Sequence, residues 1–121
     1  CRHMIDSICG TPGAITDEAM AAYLDAFRDP DTIRATCDDY RAGYGIDCDI
    51  DAADRDAGNR IECPLLAMWG ARGRPHKAQG VIATWQKWAT DMRGKGLDCG
   101  HFLPEEAPAE TAAELRAFFS G

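Results

Sequence analysis

The sequence has no apolar run of the roughly 20 residues that a membrane-spanning helix needs. Its first residues, CRHMIDSICG, also lack the apolar core of a secretory signal. Basic residues are in the minority, since 13 Lys and Arg stand against 20 Asp and Glu and the formal net charge is −7. This balance disfavours nucleic acid and anionic membrane surfaces as main partners.

An initiating methionine is absent too, because the chain begins at Cys1. We therefore expect a processed product, a cloned fragment or the ordered part of a longer protein. The 121 residues are enough for one small domain with a modest core, or for part of a larger one.

The cysteines form no C-x-x-C pair and lack the spacing with histidine that is typical of zinc sites. Two of them, Cys63 and Cys99, fall in apolar segments that predict buried strands. Free cysteines behave as small apolar core residues, so we expect free thiols and a reducing cytoplasm. The six cysteines are Cys1, Cys9, Cys37, Cys48, Cys63 and Cys99.

Serine nucleophiles are scarce, because Ser7 and Ser120 are the only serines and neither lies in a G-x-S-x-G elbow. One formal match has aspartate as the nucleophile, in the stretch GLDCG of residues 96–100. We reject it because an elbow needs a helix that begins at the nucleophile, whereas Pro104 delays the next helix. Asp98 is instead predicted to be a solvated strand residue.

Metal-binding patterns are incomplete as well. The alternating aspartates of residues 47–51 imitate the start of a calcium loop, but its sixth and twelfth positions hold Ala52 and Gly58. These aspartates are predicted to be loop or cap residues. His3 and His76 have no clustered partners and are predicted to lie on the surface.

Helical signals dominate the first third of the chain. Thr16 is a suitable N-cap for a helix over residues 17–27, where apolar residues recur at helical spacing. After Pro30 a second helix is predicted to run to Gly43. Residues 46–62 are polar and turn-rich, and this composition predicts a connection.

The apolar run of residues 63–69 predicts a strand buried on both faces of a parallel sheet. Residues 77–92 predict a helix, with Trp85 and Trp88 packed in the core. A second strand is predicted at residues 96–99. The order strand, helix, strand favours a right-handed parallel crossover.

A last helix is predicted from Pro104, with Ala112, Leu115 and Phe119 as its apolar stripe. His101 stands between the second strand and this helix. Ligands of parallel sheets bind beyond the carboxyl ends of the strands, and histidine suits proton transfer from water near neutral pH. We interpret His101 as a candidate general base, with a core or surface histidine as the alternative.

Tyr40 is ambiguous on pattern alone. Its place on the predicted helix suits either a core residue or a residue that presents its hydroxyl group to a pocket.

Four stretches resemble a known family: CDDYRAGY, DAGNRIECPLLAMWGARG, WQKWATDM and GHFLPEEAPAETAAELRAFF. Together they make the chain similar to the C-terminal half of an α/β-hydrolase, and within that fold to the fluoroacetate (haloacetate) dehalogenases. GHFLPEEAP alone occurs in several hydrolase groups, whereas its combination with CDDYRAG is more specific. The resemblance implies an α/β class, with the end of a helical cap domain in residues 1–45 and the last two parallel strands of the core in residues 46–121.

The resemblance implies that His101 is the catalytic histidine and that Tyr40 hydrogen-bonds the departing halide. In that family an aspartate displaces the halide and the histidine then activates water to hydrolyse the resulting ester. The substrate would be a small haloacid, and neither a cofactor nor a metal is required. The nucleophile, the triad acid and the arginines for the substrate carboxylate would lie outside this chain, in a missing N-terminal half, and a homodimer is an option.

Two alternatives remain open. A related epoxide hydrolase would use the same layout, with cap tyrosines that assist epoxide opening. A non-catalytic truncated hydrolase that serves as an interaction module belongs to a different class of function.

Overall fold

The computed structural model describes residues 1–73 and 80–121. Within them the N-terminal elements are helices α1 (Arg2–Ile8), α2 (Asp17–Ala26), α3 (Pro30–Gly43) and α4 (Ile46–Ala57). The C-terminal elements are β1 (Leu65–Gly70), α5 (Val81–Trp85), β2 (Met92–Leu97), α6 (Leu103–Glu106) and α7 (Pro108–Phe119).

The predicted helical N-terminal third is confirmed, and side-chain caps define two of its helix starts. The Thr16 hydroxyl oxygen accepts a hydrogen bond from the backbone N–H of Ala19 (3.1 Å) and begins α2. The carboxylate of Asp29 accepts from the N–H of Asp31 (3.0 Å) at the start of α3. Both caps satisfy N–H groups that have no partner within the helix.

The connection predicted over residues 46–62 is wrong, because α4 occupies most of it. Gly58 ends this helix in the left-handed conformation at φ 75°. Ile46 and Ile50 are one helical turn apart, and acidic residues in the first turn complement the helix dipole. The alternating aspartates of residues 47–51 are therefore exposed helix residues rather than loop residues.

The two strands pair in parallel, as predicted, with Leu65 opposite Met92 and Gly70 opposite Leu97. However, β2 begins four residues before the predicted residue 96. A Cβ atom at Gly94 or Gly96 would lie about 3 Å from ring atoms of Trp69 (3.1 and 2.9 Å). The two glycines therefore let the indole lie against β2, and strand pairing overrides a sequence that looks unsuited to a strand.

The helix predicted over residues 77–92 is much shorter than expected. Only Val81–Trp85 is helical, and residues 77–79 lie outside the described part of the chain. The predicted core packing of the tryptophans is also wrong for Trp85, which is 40% exposed, whereas Trp88 is half-buried. Because β2 begins at Met92, fewer residues are available to the helix.

The predicted C-terminal helix is interrupted at Ala107, and Pro108 begins α7. Its predicted apolar stripe is wrong, because Ala112 is only half-buried while Leu115 and Phe119 are exposed. The buried residue is Thr111, whose hydroxyl donates to the carbonyl oxygen of Leu103 (3.0 Å). This bond ties α7 to α6.

Among the cysteines, only Cys99 is fully buried. Cys63 is exposed, which corrects its predicted burial, because β1 begins two residues after it. All six thiols are free, as expected. The buried apolar residues lie beneath the N-terminal helices and around the strand pair: Ile5, Met20, Ala67, Ala89, Leu97 and Cys99.

None of the helices in the described residues is long and apolar enough to cross a membrane. The proposed division at residue 45 stays a prediction, and α3 and α4 contact each other across it.

Candidate functional site

His101 lies in a loop beyond the carboxyl end of β2, which we call the His101 loop (residues 98–102). The strand ends at Leu97, so His101 is four residues beyond it and outside any helix, as predicted. Cys99 and Gly100 before it are buried, whereas the His101 side chain is exposed. The N–H of His101 donates to the carbonyl oxygen of Ile8 (3.2 Å), so the loop lies against the end of α1.

Three glycines let the backbone of the His101 loop pack directly against its neighbours. A Cβ atom at Gly70 would lie 1.5 Å from the carbonyl oxygen of Gly100. A Cβ atom at Gly100 would lie 2.2 Å from the backbone nitrogen of Gly10. No side chain fits at either contact. The end of β1, the His101 loop and the segment after α1 therefore meet backbone to backbone.

Glu106 binds the backbone on both sides of His101, and sequence reasoning missed it. Its Oε2 accepts from the N–H of Gly100 (2.7 Å) and of Gly10 (2.9 Å), and its Oε1 accepts from the N–H of Phe102 (2.9 Å). Burial acts to raise the pKa of this carboxyl group, but the hydrogen bonds outweigh burial and lower it. The signal in the sequence was a second glutamate after Pro104, which also suits an ordinary helix start.

Arg72 joins the same three segments from the other side. Its Nη1 donates to the carbonyl oxygen of Gly10 (3.1 Å), and its Nη2 donates to the Thr11 hydroxyl (3.2 Å) and to the carbonyl oxygen of Asp98 (2.6 Å). Its Nε lies 3.1 Å from the carboxylate of Asp98. Every guanidinium nitrogen therefore has a protein partner, and Arg72 acts as a structural link.

Tyr40 and His101 line the same cavity, of about 390 Å³. The two residues are far apart in sequence, and Tyr40 comes from α3, where its side chain is 66% exposed. A smaller cavity of about 130 Å³ also borders His101, on the side of Trp69 and Leu103. The larger cavity is further lined by Ser7, Ile8, Cys9, Gly10, Arg72, Gly73 and Gly100.

The other nucleophilic groups near the cavity are engaged or protonated. The hydroxyl of Ser7 donates to the carbonyl oxygen of Met4 (2.8 Å). The thiol of Cys9 donates to the backbone carbonyl oxygen of Thr11 (3.3 Å). Burial, followed by the charge of Glu106, raises the pKa of the Cys99 thiol. Among the described residues that line the cavity, His101 instead has ring nitrogens for which no hydrogen bond to a protein group is found.

Remaining candidates from the sequence do not join this site. Asp98 has a 93% exposed side chain and pairs with Arg72. His3 is exposed on α1, and His76 lies outside the described residues. Within residues 1–73 and 80–121, no group of three or more His, Cys, Asp or Glu is arranged to hold a metal ion.

Comparison with known sequences gives three curated relatives, including a dehalogenase and an epoxide hydrolase. The chain is 36% identical over 103 residues to a fluoroacetate dehalogenase from Burkholderia sp., covering 85% of this chain and 33% of that protein. It is 29% identical over 111 residues to a soluble epoxide hydrolase from Corynebacterium sp. strain C12, covering 91% of this chain and 36% of that protein. No protein-family model matches the chain.

Solved structures give similarity over nearly the whole chain. A Salmonella enterica protein with the provisional name acyltransferase superposes with a TM-score of 0.92 at 38% identity, covering 98% of this chain and 39% of that one. ALR0039 from Nostoc sp. PCC 7120, provisionally named an α/β hydrolase, superposes with a TM-score of 0.91 at 40% identity, covering 98% and 40%. The chain spans about a third of the length of the curated relatives it matches.

Proposed function

We propose that this chain, which belongs to the α/β-hydrolase superfamily and has the C-terminal part of that fold, supplies the catalytic histidine of a haloacetate dehalogenase. The observation that carries the proposal is the cavity shared by His101 and Tyr40. An imidazole and a phenol O–H group border one space large enough for a small haloacid, and this arrangement supports the proposal. The fluoroacetate dehalogenase relative supports the choice of substrate class.

In the proposed reaction an aspartate from outside these 121 residues attacks the halogen-bearing carbon of the substrate. A carbon–oxygen bond forms, the carbon–halogen bond breaks, and halide leaves with its electron pair. The product is an ester between the enzyme and the acid. His101 then takes a proton from water as the water attacks the ester carbonyl group, and the acyl carbon–oxygen bond of the ester breaks. His101 passes this proton to the departing oxygen of the hydroxy acid, and the aspartate returns to its carboxylate form by losing one proton to solvent.

Tyr40 donates its hydroxyl proton in a hydrogen bond to the departing halide. Fluoride is a poor leaving group, so donors that meet its developing charge lower the barrier. The exposure of Tyr40 within the shared cavity leaves its hydroxyl free to turn toward a ligand. Among the described residues, no hydrogen bond from this hydroxyl to another protein group is found.

Epoxide hydrolysis is the second candidate, because the same cavity and the epoxide hydrolase relative fit it. There Tyr40 would donate its hydrogen bond to the epoxide oxygen as the ring opens. The two candidates differ in what Tyr40 stabilises, a halide ion or an alkoxide.

The test compares fluoroacetate with bromoacetate in the protein that carries these residues together with the nucleophile. Tyr40→Phe should cost about 2–4 kcal/mol of transition-state stabilisation with fluoroacetate, and much less with bromoacetate because bromide leaves more easily. Tyr44→Phe is the matched control, since Tyr44 is 90% exposed and does not line the cavity.

Equal slowing with both haloacids would assign Tyr40 to packing. Turnover of a small epoxide without halide release from either haloacid would favour the second candidate.

A further inference from the structure

The His101 side chain has little that fixes it directly. It is exposed, and its ring meets the adjacent Phe102 ring edge to face at 5.1 Å between centroids. Among residues 1–73 and 80–121, no hydrogen bond to the imidazole is found. The direction of the imidazole therefore depends on the backbone that carries it.

Among the groups that hold that backbone, one carboxylate binds it on both sides of His101. We infer that Glu106 is the positioning residue for His101, because it binds the N–H groups immediately before and after it, those of Gly100 (2.7 Å) and Phe102 (2.9 Å). This inference rests on the proposed role of His101 as the base. It adds to the proposed site a residue that does not touch the substrate.

The third bond of Glu106 extends this control to the neighbouring wall of the cavity. Its Oε2 also accepts from the N–H of Gly10 (2.9 Å), and Gly10 and Cys9 line the cavity beside His101. One carboxylate thus sets the distance between the base and that wall. Helix α6 has a single turn, and the Glu106 side chain binds the N–H of Phe102, the N-cap residue of the same helix. The connection between the carboxylate and the His101 loop is therefore short and stiff.

Only an ionised glutamate fits this role fully. An ionised carboxylate is purely an acceptor and forms charge-assisted bonds with N–H groups. A glutamine at position 106 would present an NH₂ group to at least one of the three N–H donors. The lowered pKa of Glu106 agrees with an ionised group at neutral pH.

The experiment uses Glu106→Gln, Glu106→Asp and the control Glu110→Gln in the protein that also contains the nucleophile. Glu110 is exposed on α7, and its substitution makes the same change in charge. Amide hydrogen exchange at Gly100 and Phe102 is measured by NMR, and halide release from a haloacetate is followed from the first turnover onward.

For Glu106→Gln we expect faster exchange at both amides and an unchanged first burst of about one halide per site. Steady-state release should then fall about 10- to 100-fold, because a displaced base slows ester hydrolysis alone. Glu106→Asp keeps the charge and should recover part of this loss, and Glu110→Gln should behave like the unsubstituted protein.

A burst and a steady state that fall together would show a merely structural role and overturn the inference. Unchanged exchange at Gly100 and Phe102 would overturn it as well. No halide release from the unsubstituted protein would refute the proposed function itself, and with it the role of His101, whatever the exchange data show.

Discussion

The His101 loop and the helical pair α3–α4 are held in place in very different ways. The loop is fixed by Glu106, which follows it closely in the sequence, and by contacts from distant parts of the chain through Arg72 and the packed glycines. The helices α3 and α4 contact each other, yet neither has a single buried residue. His101 is thus positioned by contacts within the chain, whereas Tyr40 stands on a helix, α3, that is defined mainly by its own cap and sequence.

The α3–α4 pair carries a large share of the exposed apolar side chains. Such residues stabilise a fold only where a partner removes them from water. Of the two residues of the proposed site, His101 is therefore positioned by contacts within the described residues. The position of Tyr40 depends on packing that the described residues do not supply. The large exposed apolar residues of the pair and of its connection are Ile33, Tyr40, Tyr44, Ile46 and Ile50.

The largest expected effect concerns the helical pair α3–α4, which lacks a packing partner when residues 1–121 are expressed alone. Residues 1–121 expressed alone should release no halide from fluoroacetate and should be aggregated or only partly folded. The two-stranded sheet leaves its edges unpaired within the described residues, and such edges promote association. Co-expression with a segment that supplies the aspartate nucleophile should restore solubility and halide release.

Turnover by residues 1–121 alone would contradict this prediction and would reopen Asp98 as a nucleophile. Restored solubility without any turnover would instead favour the interaction module.

A smaller effect, on stability, is expected for substitutions at two glycines, one in the His101 loop and one at the end of α3. Gly100→Ala should destabilise the protein by about 1–3 kcal/mol or more, because the added Cβ meets the backbone of Gly10. Gly43→Ala, at the end of α3, should change stability by less than about 1 kcal/mol and in the stabilising direction. A Cβ there would have no neighbour within 4 Å.

Denaturant unfolding of both variants, in the protein that also contains the nucleophile, measures the difference. Equal free energies of unfolding for the two variants would show that the His101 loop is no more tightly packed than the end of α3.

Local signals in the sequence were sufficient for the parts of the fold that they define. The N-cap Thr16 begins α2, Pro30 begins α3, and most of the apolar run over residues 63–69 lies in the first strand. The position of His101 after a parallel strand followed from the same reasoning. Each of these features depends on neighbours in the chain, so periodicity and capping can predict it.

Features that depend on tertiary contacts were missed. The strand β2 contains Gly94 and Gly96, and its stability comes from pairing with β1 and from the indole of Trp69. Glu106 looked like an ordinary first-turn glutamate, and its role appears only when the segment of Gly10, distant in sequence, lies beside it. The helix α4 was missed for another reason, because its many aspartates hid a helix that ends at Gly58.

Single-turnover analysis of His101→Ala tests most directly the proposal that His101 activates the water that hydrolyses the ester. In the protein with its nucleophile, this variant should release about one halide per site and then stop. Mass spectrometry should find the acid bound covalently to the nucleophile. His3→Ala, which removes an exposed histidine that does not line the cavity, should turn over normally. Continued multiple turnover by His101→Ala, with no covalent adduct, would contradict the account.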